Sequence, residues 1–235
     1  MAKKNKEISS SNLIKVKPIT EGQKSVFETW KKGQNQFLFG CAGTGKTFIP
    51  LYLAMQDVLD LKTKYDKVIL VRSLIPTREI GFLPGDEEDK AALYQVPYQN
   101  MVKFMFEQPN EQAFNMLYDR LKNQGSLYFL STSFLRGLTF DNSIIIVDEC
   151  QNLNFHELDT ITTRVGQDSK IVFCGDFSQT DLLKQNEKNG LHDFLRILME
   201  MQEFNCIEFN IGDIVRSGFV RNYLIQKTKL GMGME

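Results

Sequence analysis

Histidine is scarce in this chain: His156 and His192 are the only two among 235 residues. A metal centre built on imidazole ligands therefore has almost no supply. The four cysteines, Cys41, Cys150, Cys174 and Cys206, form no C-x-x-C pair. That argues against zinc and dithiol chemistry and fits a reduced, cytoplasmic setting. Neither charge sign dominates, with 28 basic against 29 acidic side chains. Bulk charge thus gives no support for nucleic-acid binding, although a local basic patch remains open. No apolar run reaches the length of a membrane span, and no signal-peptide pattern opens the chain, so no membrane association is expected. What remains is an ordinary apolar fraction over a length that suits one large α/β domain.

Against that plain background, Gly40-Cys41-Ala42-Gly43-Thr44-Gly45-Lys46-Thr47 fits G-x-x-x-x-G-K-[ST] at every fixed position. The glycines let the backbone curl so that successive N–H groups face an anion. Lys46 brings a positive charge to the β- and γ-phosphates of ATP, and the Thr47 hydroxyl is a ligand for Mg²⁺. A short apolar strand, Gln36 to Phe39, leads into the loop. Helical spacing from Phe48 to Leu61 follows it, so a helix dipole points at the same place.

Along the rest of the chain, strands are expected at Lys67–Arg72, Leu127–Ser131, Ser143–Val147, Lys170–Cys174 and Asn205–Asn210. Helices are expected at Glu21–Lys32 with Thr20 as N-cap, Lys90–Phe106, Glu111–Asn123, Asn154–Val165, Gly190–Met201 and Val215–Lys227. Ser73 to Asp89 is rich in loop residues, and an insert of about residues 73–125 follows the second strand. Residues 1–17 are expected as a flexible basic tail and 229–235 as a second flexible tail around a single domain at 18–228. Alternating strands and helices imply a mainly parallel sheet covered on both faces.

Ile144-Ile145-Ile146-Val147 is the pattern of a strand buried on both faces, and it ends in Asp148-Glu149. Asp148 would emerge at the carboxyl edge of the sheet, where ligands bind in this architecture, and hold the Mg²⁺ shell. Glu149 is placed to polarise a water for attack on the γ-phosphate; an acidic turn with no function is the alternative. After the next strand, Gln179 is a candidate sensor of the γ-phosphate or the attacking water. Gln23 carries an amide able to donate to and accept from an adenine edge.

These residues together resemble the PhoH-like family of ATPases, from about Thr20 to Gln226. Besides the loop and Val147-Asp148-Glu149-Cys150-Gln151-Asn152, the resemblance rests on four further stretches. They are Gly81-Phe82-Leu83-Pro84-Gly85-Asp86, Phe134-Leu135-Arg136-Gly137-Leu138-Thr139, Thr163-Arg164-Val165-Gly166 and Gly175-Asp176-Phe177-Ser178-Gln179-Thr180-Asp181-Leu182. Cys41 and Cys150 depart from the family's usual residues, both by small changes. The resemblance implies a RecA-like core related to superfamily 1 helicases and Mg²⁺-dependent ATP hydrolysis. A phage origin fits so compact a chain and would place it in the host cytoplasm.

Such helicases bind ATP between two RecA-like domains, the second supplying an arginine; here only one such domain is read. Arg216, which matches an arginine in a late family motif, is the first candidate to complete the site, with Arg164 and Arg221 behind it. The expectation is a homo-oligomeric ring, a hexamer, with the arginine supplied in trans. Arg72, Arg78, Tyr94, Tyr98, Lys103, Phe104 and Phe106 mix basic and aromatic side chains around the insert, a composition suited to single-stranded RNA or DNA and equally to a core. Two other classes stay open: a nucleotide-regulated assembly module without nucleic acid, and a kinase whose acceptor pocket the loop at 73–89 would form.

Overall fold

The computed structural model describes residues 7–73, 87–132, 135, 137–177 and 190–230. Gln179, the Gly81–Asp86 stretch, Arg78, most of the Ser73–Asp89 loop and the tail from residue 231 lie outside the described residues. The elements in chain order are α1 (Glu21–Lys31), β1 (Asn35–Gly40), α2 (Phe48–Leu59), β2 (Lys67–Arg72), α3 (Glu87–Phe106), α4 (Glu111–Asn123) and β3 (Leu127–Ser131). There follow β4 (Ser143–Val147), α5 (Phe155–Thr162), β5 (Lys170–Gly175), α6 (Leu191–Glu200), β6 (Phe204–Phe209) and α7 (Gly218–Lys229). The expected elements are all present, with ends displaced by a few residues.

All six strands run parallel in the order β3-β2-β4-β5-β1-β6. Side chains of the central strands alternate between two apolar layers, as the pleat requires. Leu38, Val68, Leu70, Ile144, Ile146 and Val172 face the layer that α2 fills. Phe37, Phe39, Ile69, Val71, Ile145, Val147 and Phe173 face the layer under α5 and α6. The β4 strand is buried along its whole length. Each of its aliphatic side chains contributes about 1.5–3 kcal/mol by leaving water. Such a strand must be central, which is why Asp148 is held so firmly at its end.

The α2 helix is apolar on nearly every side because it is covered on nearly every side. The sheet lies on one flank and residues 8–16 on another. There the structure corrects the expected tail. Ile8 and Leu13 are buried, Ile14 N donates to the Met105 carbonyl at 2.8 Å, and the Tyr52 hydroxyl donates to the Ile14 carbonyl at 3.0 Å. Isolated apolar residues among lysines give no periodic signal, but each finds a hollow between α2 and α3. The α7 helix also starts later than expected, at Gly218; ahead of it the Val215 N–H donates to the Gly43 carbonyl at 3.0 Å and ties that segment to the glycine-rich loop.

Candidate nucleotide-binding site

Register brings the chemistry to one edge. Phe39 pairs with Gly175 and Val71 with Val147, so the loop after β1, Arg72, Asp148-Glu149 and Asp176 all emerge at the carboxyl ends of neighbouring strands. Because β5 lies between β1 and β4, Asp176 stands between the glycine-rich loop and Asp148. The Phe177 ring stacks on Phe39 at 5.5 Å and anchors the segment that carries Asp176.

The loop itself is tightly determined. At Gly40 φ is +119°, and a Cβ there would stand 2.1 Å from the Phe209 carbonyl oxygen. That oxygen accepts from the Cys41 N–H at 2.8 Å, so β6 clamps the start of the loop. Ala42, Thr44 and Gly45 carry it round to Thr47, where α2 begins and its first N–H groups face the loop. Gln23, almost wholly buried, donates its amide to the Thr44 carbonyl at 3.0 Å and accepts from the Ile19 N–H at 3.0 Å. In this arrangement Gln23 braces the loop, with one donor and one acceptor position left on its amide.

Lys46 Nζ donates to the Gly40 and Cys41 carbonyls at 3.2 and 2.5 Å and pairs with Asp176 Oδ1 at 2.8 Å. The Thr47 hydroxyl donates to Asp148 Oδ1 at 2.7 Å, and the Tyr98 hydroxyl donates to Asp148 Oδ2 at 2.7 Å. Burial pushes the Asp148 carboxyl above its ordinary range, opposed by those two hydrogen bonds and by Arg72. A hydroxyl beside a buried carboxylate is an oxygen-only donor set of the kind Mg²⁺ takes, so Thr47 and Asp148 fit the ion.

Glu149 adopts the left-handed conformation, φ 53° and ψ 41°, and its carboxylate accepts from Gln151 Nε2 at 2.6 Å. Gln151 Oε1 in turn accepts from the Asp176 N–H at 3.2 Å, so one glutamine ties the two acidic segments together. Burial, then the charges of Asp148 and Asp176, raise the Glu149 carboxyl. A carboxyl so raised is a better proton acceptor than an ordinary one.

Arg216 lies on the loop of its own chain: a Cβ on Gly43 would meet Arg216 Cγ at 2.8 Å and Leu224 of α7 at 3.2 Å. Arg164 belongs to the opposite, amino edge of the sheet, where its carbonyl accepts from Phe140 N at 2.9 Å, ahead of β4. Arg221 is exposed on α7. Of the mixed basic and aromatic group, Tyr98 and Phe106 prove to be core residues. Phe104 is 60% exposed, and Arg72 lies over the Tyr94 ring at 5.6 Å. Burial raises the Cys41, Cys150 and Cys174 thiols, the last two strongly, which disfavours the reactive thiolate.

Tyr98, Asp176 and Gln151 are the site residues that the sequence did not single out for these roles. Asp176 carried a signal, a charged residue directly after a buried strand; Tyr98 is fifty positions from Asp148 and carried none.

The fold has counterparts among solved structures. The large terminase of a thermophilic bacteriophage superposes with a TM-score of 0.53 at 12% identity, over 90% of this chain and 50% of that one. A second crystal form of the terminase, in complex with ADP, gives the same score at 13% identity. A PhoH-like protein of Synechocystis sp. is 32% identical over 88% of this chain and 60% of its own length. Protein PhoH of Escherichia coli is 30% identical over 87% of this chain and 56% of its own. The chain thus spans little more than half the length of these relatives. The PhoH-like protein family model matches residues 15–226, from the segment docked on α2 to the helix beside the loop, and the chain belongs to that family.

Proposed function

We propose that the chain binds ATP with Mg²⁺, hydrolyses it, and applies the cycle to single-stranded RNA or DNA. The observation that supports this reading is the 2.7 Å contact between the Thr47 hydroxyl and Asp148, which brings the glycine-rich loop and the end of β4 together from positions 101 residues apart. In this reading Gly40 to Thr47 cradle the phosphates and Lys46 neutralises them. Thr47 and Asp148 hold Mg²⁺, which when bound neutralises the β- and γ-phosphate oxygens. Glu149 takes the proton from the attacking water. Gln179 senses the γ-phosphate, Gln23 holds the loop against the base side, and Arg216 stabilises the charge that develops in transfer.

Phosphate release from Mg²⁺-ATP, with and without single-stranded RNA and DNA, tests this. The expected result is stimulation by one polymer and loss of release in Glu149→Gln. Release indifferent to both polymers would move the reading to an assembly ATPase. One observation favours that second reading: Phe219 and Tyr223, 83% and 57% exposed, stack on α7 beside the loop, a surface suited to a neighbouring copy in a ring.

A further inference from the structure

Tyr98 belongs to the insert helix α3, yet its hydroxyl is the partner of Asp148 Oδ2. The tyrosine is 2% exposed, its ring packs 5.7 Å from that of Phe129, and its hydroxyl oxygen accepts from Arg72 at the end of β2. Both carboxylate oxygens of Asp148 are therefore held, one by the loop through Thr47 and one by the insert through Tyr98. A second contact joins the same helix to the loop: Phe104 meets Phe48, the first residue of α2, edge-on at 5.7 Å. Pro97, immediately before Tyr98, lies inside α3, where the ladder lacks a donor.

We infer that Tyr98 is a positioning residue for the metal site, and that through it the placement of α3 sets how well Asp148 serves Mg²⁺. The phenol fixes the carboxylate plane, so a shift of α3 is transmitted to the ligand without any contact between insert and nucleotide. Near the end of the helix Phe104 alone stands out to solvent, 60% exposed, while Lys103 is paired with Glu111 of α4. Groups that orient metal ligands from behind in this way typically govern metal affinity about tenfold or more. The inference rests on the reading that Thr47 and Asp148 hold the ion.

The test is Tyr98→Phe, which keeps the ring and removes only the hydroxyl. A fluorescent non-hydrolysable ATP analogue is titrated in Mg²⁺ and in EDTA, alongside thermal unfolding. The expected result is unchanged affinity in EDTA, a Mg²⁺-dependent gain about tenfold smaller than in the unaltered chain, and an unfolding temperature that stays close. A Mg²⁺-dependent gain equal to that of the unaltered chain overturns the inference. Asp148→Asn separates the two layers. If it abolishes the gain while Tyr98→Phe does not, the metal reading stands and the role of Tyr98 falls. If neither changes the gain, the metal reading falls with it. Should Tyr98→Phe unfold, hydrogen exchange in the unaltered chain decides: Mg²⁺ added to the analogue complex slows exchange across α3, whereas α3 exchange that ignores Mg²⁺ overturns the inference.

Discussion

Lys46 is ion-paired with Asp176 at 2.8 Å, with the lysine side chain buried and the aspartate about half exposed. In the proposed reading this is the cation that meets the phosphates of ATP, and it is already engaged by a carboxylate from the end of β5, the strand beside β1 in the sheet. A bound phosphate would compete with Asp176 for Lys46, and the acidic side chain would repel the incoming anion. Asp176→Asn should bind ATP about threefold to fivefold more tightly, the modest scale set by the aspartate's exposure. A fluorescent nucleotide titration checks this, and weaker binding would mean that Asp176 helps to build the phosphate site.

Glu149 carries two local costs. Its left-handed backbone costs a non-glycine residue about 1–3 kcal/mol, and its half-buried carboxylate faces Asp148 and Asp176. Glu149→Gln removes the charge and keeps an oxygen to accept from Gln151. The variant should therefore unfold at a higher temperature than the unaltered chain while losing hydrolysis. Calorimetry on the two proteins at neutral pH reads it; a lower unfolding temperature would show that the carboxylate stabilises the fold.

The sequence carried the loop, the strand ending in Asp148-Glu149 and the alternation of elements, because each is local. Three glycines, a lysine and a threonine in fixed order can be read without neighbours, and so can four buried aliphatics in a row. Strand order was not legible: that β5 runs between β1 and β4 depends on crossovers, and it decides that Asp176 rather than solvent meets Lys46. The phenol on Asp148 was equally hidden, since Tyr98 reads as one more aromatic in an insert that mixes basic and aromatic residues. The docked segment around Ile8 and Leu13 was missed because two apolar residues among lysines acquire meaning only from the groove that receives them.

At the far edge of the sheet Lys170 is buried, with Nζ 3.1 Å from the Trp30 carbonyl and 4.1 Å from the centre of its ring. Burial lowers its ammonium to about 8, against the attraction of Asp57. The sign follows from linkage. Between about 8 and the ordinary 10.5 the unfolded chain holds this proton and the folded chain has lost it, so the contribution of Lys170 to stability rises with pH in that window. By pH 9.5 Lys170 alone contributes on the order of 2 kcal/mol; the thiols of Cys41, Cys150, Cys174 and Cys206, all raised by burial, keep protons that the unfolded chain sheds and pull the other way. Urea unfolding at pH 7 and 9.5 isolates the lysine as a difference: over that interval Lys170→Met should lose on the order of 2 kcal/mol relative to the unaltered chain, because the thiols act equally in both, and parallel pH dependences would show that Lys170 keeps its proton in the folded chain.

Mixing subunits tests the proposal that an arginine completes the site and decides which copy supplies it. Arg216 lies against Gly43 of its own chain, held there by the Val215 N–H on the Gly43 carbonyl. Arg164, at the amino edge, can serve a phosphate only on another copy. Each arginine variant, Arg216→Ala or Arg164→Ala, is mixed with Glu149→Gln, and the composition of the resulting assembly is verified by mass. An arginine acting in its own chain leaves every mixed site lacking one group, so activity stays absent. An arginine acting across an interface restores both groups wherever the intact glutamate of one copy meets the intact arginine of the next. The geometry favours no recovery with Arg216→Ala, and an arginine of this kind is worth roughly 10³ to 10⁵ in rate, so even a few restored sites would be measurable. Recovery with Arg216→Ala would mean that α7 and the segment before it leave their own loop when subunits assemble.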